Sequence, residues 1–239
     1  MNKHILVTND DGVSAPGLLA LAQEMRKLGK VSILAPDRNW SGGGHVKTLD
    51  RALRVKEVRL ADGTQAFASD GAPSDCVALA TLGYFKEPID LVVSGINTGA
   101  NLGHDVTYSG TVTAAMEAVI AGVPGIAVSL ETVEGYIGDI DYVPAARTAG
   151  KIIQQVIENG LTHEVLLNVN VPLLPEEKIR GIKISGRACA FITAGWMKGR
   201  IRAADLITGS AATHRQVSLN AARMWGRLPK DSCPSRLCN

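Results

Sequence analysis

The sequence predicts an α/β protein built on a doubly wound, mainly parallel sheet. Three observations carry that expectation. Short apolar runs such as Ile5-Leu6-Val7 and Val31-Ser32-Ile33-Leu34-Ala35 have the character of buried parallel strands. Stretches with helical apolar spacing alternate with them through most of the chain. Gly, Pro, Asn and Asp punctuate the joins. The pattern is Rossmann-like, and no segment repeats internally.

Taken in order, the first strand runs into Asn9-Asp10-Asp11-Gly12, where Gly12 supplies a tight turn. Ala15-Pro16-Gly17 then opens a helix at Leu18-Leu19-Ala20-Leu21-Ala22. The second strand, residues 31–35, is closed by Pro36. Residues 52–60 and 65–68 form a strand pair joined by an Asp62-Gly63 turn. Residues 73–84 have helical spacing, with Ser69 or Asp70 near the start. Residues 89–94 are another buried strand, 111–121 a closely packing helix of small residues, and 123–130 a return to strand. Residues 143–158 are a helix ended by Asn159-Gly160, and residues 165–169 and 179–185 are the last strands.

A chain of 239 residues, 46% hydrophobic and 20% charged, suffices for one large domain with a substantial core. Met1-Asn2-Lys3-His4 leads straight into the first strand, with no room for a signal peptide, and no apolar run approaches the ~18 residues of a membrane span. A soluble cytoplasmic protein is expected. The net charge of +2 hides an asymmetry: residues 1–185 hold 16 Lys+Arg against 21 Asp+Glu, while residues 186–239 hold 9 against 2. Cys76 alone lies in the body, and Cys189, Cys233 and Cys238 lie in the tail without Cys-x-x-Cys spacing, which argues against a thiolate metal site. A basic tail ordinarily suggests nucleic acid, but in this chain a displaced reading frame accounts for it better.

The chemistry concentrates in loops that follow strand ends, where open α/β sheets bind ligands. Adjacent Asp10 and Asp11 repel unless a proton or cation lies between them, and a hard divalent ion prefers such oxygen donors. A solvated Asp-Asp-Gly turn is the plainer alternative from this tetrapeptide alone. After the second strand come Asp37-Arg38-Asn39-Trp40-Ser41-Gly42-Gly43-Gly44-His45, in which glycines let backbone approach an anion and Ser41 Oγ can reach a metal. After residues 89–94 come Gly95-Ile96-Asn97-Thr98-Gly99-Ala100-Asn101-Leu102-Gly103, and then Ser109-Gly110-Thr111 at a helix start, where free N–H groups suit a phosphate. Gly-x-Gly-x-x-Gly, the Lys-bearing P-loop and Gly-x-Ser-x-Gly are all missing. His45 and His104 suit either catalysis or a hydrogen-bonded loop, and Trp40 either base stacking or simple exposure.

Together these segments resemble the SurE nucleotidases. The resemblance rests on Ile5 through Gly12, Ala35-Pro36-Asp37-Arg38-Asn39 with Ser41-Gly42, and Ser94-Gly95-Ile96-Asn97 with Gly99, Asn101 and Gly103. Asp105-Val106 with Tyr108-Ser109-Gly110-Thr111-Val112 completes it, and Ser69 through Val77 is close to the family's Gly-Thr-Pro-Ala-Asp-Cys-Val. The resemblance implies a 5′-nucleotidase, a phosphoric monoester hydrolase acting on nucleoside 5′- and 3′-monophosphates and sometimes short polyphosphate. It implies one divalent metal ion, Mg²⁺ or Mn²⁺, held by Asp10, Asp11, Ser41 and Asn97, with Asp10, Asp11 and Asn97 catalytic. Such an ion neutralises phosphate charge and acidifies an attacking water. Asn9, Gly42, Gly43, Ser109, Gly110 and Thr111 would hold the phosphoryl oxygens. An aspartyl-phosphate route through Asp10 or Asp11 ranks lower, because a metal-tied carboxylate is a poorer nucleophile. Trp40 and Val46-Lys47 fall where the family varies, which leaves substrate preference open. No membrane or specific nucleic-acid partner is expected.

The resemblance stops after Gly181-Ile182-Lys183-Ile184-Ser185. The family continues with Asp-Pro-Arg-Gly-Arg-Pro-Tyr-Tyr-Trp-Ile-Gly-Gly and a late Val-Ser-x-Thr-Pro-Leu strand. Joining the last base of each codon to the first two of the next, allowed codons for residues 200–212 spell that first segment. The same shift over residues 230–239 permits Gly-Phe-Val-Ser-Ile-Thr-Pro-Leu-Gln. A frameshift near residue 185 explains the charge break and the cysteine cluster; the competing reading is a lineage-specific basic tail. The expected organisation is therefore a phosphatase domain over 1–185 and an aberrant, poorly ordered tail over 186–239. The family's homodimer or tetramer is in doubt with such a tail, and an impaired or non-catalytic nucleotide-binding protein is the alternative function.

Overall fold

The computed structural model describes residues 3–132, 136–162, 164–185 and 189–191. Seven strands run parallel as successive neighbours: β4 (Gln65–Ser69), β2 (Gly29–Pro36), β1 (Lys3–Thr8), β5 (Leu91–Thr98), β6 (Gly125–Glu131), β7 (Leu166–Pro172) and β9 (Cys189–Phe191). Antiparallel strands β3 (Val55–Arg59) and β8 (Lys183–Ser185) close the two edges. The doubly wound sheet predicted by the alternating pattern is present.

The strand sequences explain the two layers. Along β1, Ile5 and Val7 face one core, with Leu18 and Leu21 of α1 (Pro16–Met25) and Ile152 and Ile153 of α5 (Val143–Asn159). The intervening Leu6 faces a second core, with Cys76 and Val77 of α2 (Pro73–Leu79) and Ala114 and Ala118 of α4 (Gly110–Ile120). That alternation is the two-residue period of a strand. The small residues of α4 bring it close to the sheet: a Cβ on Gly125 would lie 2.1 Å from Ala115 O.

Several boundaries differ from the sequence expectation, each for a local reason. Strand β3 begins at Val55 rather than residue 52, because its partner β4 ends opposite it at Ser69. The helix expected over 73–84 is regular only to Leu79 and continues as a wider turn over Ala80–Tyr84, where Gly83 has φ +103°. Neither Ser69 nor Asp70 caps it; the Asp75 carboxylate accepts from Ala72 N at 2.9 Å. Only Lys183–Ser185 of residues 179–185 is strand, preceded by a short 3₁₀ turn at Glu176–Lys178. Apart from Cys189–Phe191, the tail expectation lies outside the described residues.

Strand β5 runs on past residue 94, and this extension matters for the site. Its register against β6 shifts between Ser94 and Asn97, a bulge that re-aims the following side chain. Gly95, with φ +139°, sits where a Cβ would lie 2.2 Å from Val128 O. From β1 the chain steps to β2 on one side and returns at β5 on the other, so loops leaving β1 and β5 diverge. That switch point opens a crevice at the carboxyl ends of the strands.

Candidate metal and phosphate site

The turn after β1 is braced from within. Asn9 is fully buried; its Nδ2 donates to Gly12 O at 3.0 Å and its Oδ1 accepts from Gly12 N at 3.2 Å. Gly12 adopts φ +105°, and a Cβ there would press on the Arg38 backbone at 3.2 Å. The turn thus holds Asp10 and Asp11 on a fixed frame.

Asp10 is 3% exposed and lies against the amino end of α4. The Thr111 hydroxyl donates to its Oδ1. A Cβ on Gly110 would lie 2.6 Å from Asp10 Cβ, so glycine is what allows the helix to come this close. Burial pushes the Asp10 carboxyl above its ordinary 3.8, while the Thr111 hydroxyl and the Thr111 and Gly110 N–H groups pull it back. Asp11 is pushed up to about 6, by burial first and the Asp10 charge second, against the opposing pull of the Thr98 N–H. Two neighbouring carboxyls that resist joint ionisation are the condition a divalent cation relieves.

The other two segments supply neutral oxygens. Asn97, which follows the bulge of β5, donates from Nδ2 to Gly99 O at 2.8 Å, which leaves its Oδ1 as a candidate oxygen donor. Thr98 is fixed through its hydroxyl to Tyr142 OH at 2.6 Å. Ser41 is exposed at the head of the glycine loop, with its N–H on Asn39 Oδ1 at 2.6 Å. No group of three or more His, Cys, Asp or Glu able to hold a metal occurs among the described residues. The candidate donors are therefore two carboxylates, a hydroxyl and an amide oxygen. This set fits a hard cation such as Mg²⁺ or Mn²⁺ and does not fit a thiophilic one.

Asp10, Ser41, Gly42, Asn97 and Ser109, from four separate segments, line one cavity of about 270 Å³. Asn9, Asp11, Gly43, Gly110 and Thr111 are not on its wall: Asn9 braces the turn, and Gly110 and Thr111 stand behind Asp10. Ser109 caps α4, its Oγ accepting from Val112 N at 3.2 Å. Gly42 has φ +75° and open space where a Cβ would be, as close approach to an anion requires.

Asp105, Tyr108 and Asn101 also line the cavity, although sequence reasoning assigned them no role. Asp105 and Tyr108 belong to a four-residue helix, α3 (Asp105–Tyr108), too short to show periodicity. Asn101 is the centre of a buried amide cluster: its N–H donates to Asn170 Oδ1 at 2.8 Å and its Nδ2 to Ser129 Oγ at 2.7 Å. Its carbonyl accepts from Asn168 Nδ2 at 2.8 Å. The signal was the Asn168-Val169-Asn170 alternation in a strand otherwise apolar. His45 is a hydrogen-bonded loop histidine, with Nε2 2.8 Å from Glu117 Oε2. The Arg38 guanidinium covers one face of the Trp40 ring, 4.9 Å from its centroid.

Fold and site thus define a doubly wound α/β protein with an oxygen-donor crevice beside a helix amino end. The family model described as Survival protein SurE matches residues 5–193, and the chain belongs to that family. Among its relatives is "5'-nucleotidase SurE" of Herpetosiphon aurantiacus, 53% identical over 182 residues, which are 76% of this chain and 71% of the relative. The protein of the same name from Legionella pneumophila is 50% identical over 183 residues, 76% of this chain and 68% of the relative. The crystal structure of SurE protein from Aquifex aeolicus superposes with a TM-score of 0.68 at 40% identity, covering 76% of this chain and 71% of that one. No helix among the described residues is long and apolar enough to cross a membrane.

Proposed function

We propose that this chain is a divalent-metal-dependent phosphatase that hydrolyses nucleoside 5′-monophosphates to nucleoside and phosphate. Nucleoside 3′-monophosphates and short polyphosphate are further substrates of the same site. The observation that carries the reading is the convergence of Asp10, Ser41, Asn97 and Ser109 on one cavity. Relatives that are half identical and carry the 5′-nucleotidase name support it.

In this reading Asp10, Asp11, Ser41 and Asn97 hold one Mg²⁺ or Mn²⁺. When bound, the ion supplies phosphate charge neutralisation and an acidified water as nucleophile. Asp10, Asp11 and Asn97 are the catalytic group. Asn9 maintains the turn beside the phosphoryl group, while Gly42 and Gly43 offer open backbone. Ser109, Gly110 and Thr111 set the helix amino end toward the phosphoryl oxygens, where the helix dipole favours an anion. Gly110 and Thr111 also bond Asp10, so one helix end serves both metal ligand and phosphate. This is catalysis by positioning and preorganised electrostatics.

The domain occupies residues 1–185, acts in the cytoplasm, and is followed by a tail read in a displaced frame. A family match ending at residue 193 fits a break in this neighbourhood. Assembly into a homodimer or tetramer depends on the segment beyond residue 185. Resequencing the locus tests the frame, and a single intact frame encoding residues 186–239 overturns it. AMP and GMP hydrolysis by the full chain tests the activity: Mn²⁺ supports turnover, and EDTA and Asp10→Ala each abolish it. Turnover that persists in EDTA refutes the metal reading. Folded protein with no turnover at all favours a nucleotide-binding protein instead.

A further inference from the structure

The loop that carries Ser41 is anchored on both sides of its glycines. On entry, Trp40 N donates to Asp10 O at 2.7 Å. At the last glycine, Gly44 N donates to Tyr108 O at 2.9 Å, and the Thr113 hydroxyl is shared between Gly44 O at 3.0 Å and the Ser109 and Gly110 carbonyls of its own helix at 2.9 and 3.2 Å. The Ser74 hydroxyl donates to Val46 O, and Thr48 donates through N and Oγ1 to the Asp75 oxygens at 3.0 and 2.7 Å. Ser41 and Gly43, by contrast, bond only locally, to Asn39 and Trp40.

Glu117 occupies the middle of this seam. It is 5% exposed on α4, two turns beyond the helix amino end. His45 Nε2 lies 2.8 Å from its Oε2, and Lys47 Nζ donates to its Oε1 at 2.5 Å. A buried carboxylate is costly unless paired and hydrogen-bonded. Burial pushes the Glu117 carboxyl up, but the bonds from His45 and Lys47 outweigh it and hold it below the ordinary range. The loop therefore supplies both partners this carboxylate requires. The same helix braces Asp10 with its first turn, through Thr111, and the loop with Thr113 and Glu117.

We infer that Glu117 is a positioning residue: through His45 and Lys47 it fixes residues 44–48 along α4, so that Ser41 stays opposite Asp10. The inference rests on the proposed metal role of Asp10 and Ser41. Neither Glu117 nor its two partners lines the cavity, so the effect on a bound ion is indirect, through the placement of a ligand. Partners bonded directly to a metal ligand govern metal affinity by about 10- to 100-fold; Glu117 acts one contact further out, so its effect falls at the lower end of that range.

The test compares full-chain wild type with Glu117→Ala, Glu117→Gln and a control, Val156→Ala, which removes core volume on the opposite layer. Two quantities are read: Mn²⁺ affinity by calorimetry, and amide hydrogen exchange at residues 44–48 in metal-free protein. Glu117→Ala speeds that exchange and weakens Mn²⁺ binding by up to about tenfold. Glu117→Gln, which keeps the shape but loses the charge facing Lys47, shifts both in the same direction by less. Val156→Ala shifts neither, whatever it does to melting temperature. Unchanged exchange and affinity in both Glu117 variants overturn the inference, as does an equal loss of Mn²⁺ affinity in the control. If wild type binds no Mn²⁺, the metal reading fails, and exchange alone decides whether Glu117 holds the loop.

Discussion

Replacing Asp11 by Asn should stabilise the metal-free protein while destroying its function. The Asp11 carboxyl is raised from 3.8 to about 6, by burial and then by the neighbouring Asp10 charge. A folded-state value above the unfolded one means that the native state binds the extra proton more tightly. The stability this gives is full below the unfolded value near 3.8 and is lost as pH rises through about 6. Above that, ionised Asp11 is a liability that Asn does not share, and Asn still presents an oxygen to the Thr98 N–H. At full value the shift is worth about 3 kcal/mol; partial exposure to water reduces this to about 2 kcal/mol. For a chain of this size that is about 4–8 °C in melting temperature. The assay is thermal unfolding by circular dichroism in EDTA, at pH 8 and at pH 4. Asp11→Asn should melt higher than wild type at pH 8, with the gap closing at pH 4. Added Mn²⁺ should reverse the order, since ligand at 100 times its Kd stabilises wild type by about 2.7 kcal/mol. An Asp11→Asn variant that melts at or below wild type in EDTA at pH 8 would refute the electrostatic reasoning.

Two other substitutions test the packing around the site. Gly110→Ala places a Cβ 2.6 Å from Asp10 Cβ and 2.9 Å from its Oδ2; the overpacking should cost about 1–3 kcal/mol in urea unfolding and weaken Mn²⁺ binding through displacement of Asp10. Asn101→Ala removes the 2.7 Å bond to buried Ser129 Oγ while leaving the backbone bonds to Asn168 and Asn170; it should cost about 1–3 kcal/mol by the same measurement. An unchanged urea midpoint in either variant would contradict the geometry described.

The sheet was legible because its strands are buried on both faces, and such strands write continuous apolar runs into the sequence. Runs at residues 5–7, 31–35 and 89–94 each landed on a parallel strand. The edges were read less accurately: β3 and β8 are short, and where they start depends on where their partner strands end. The site's acidic pair, its glycine loop and its helix amino end were legible because each lies just past a strand or before a helix. Asp10 and Ser109 meet at one cavity for that reason. Asp105 and Tyr108 signalled no role of their own because α3 is a single turn. Glu117 was invisible because it sits in a helix of small apolar residues, and its partners lie 70 and 72 positions away.

The sequence by itself determined the fold class, the family resemblance and the candidate oxygen donors. These depend on residue type and local period, which the chain states directly. Only the tertiary structure decided how the donors are held. Thr111 and Gly110 brace Asp10, Asn97 follows the β5 bulge, and Glu117 is satisfied by the loop that carries Ser41. Each of these rests on a contact between segments far apart in the chain, and burial decides its worth. Of the paired carboxyls, by sequence either a metal site or a solvated turn, Asp10 proves buried and Asp11 part-buried and raised by the Asp10 charge, a condition local sequence cannot express.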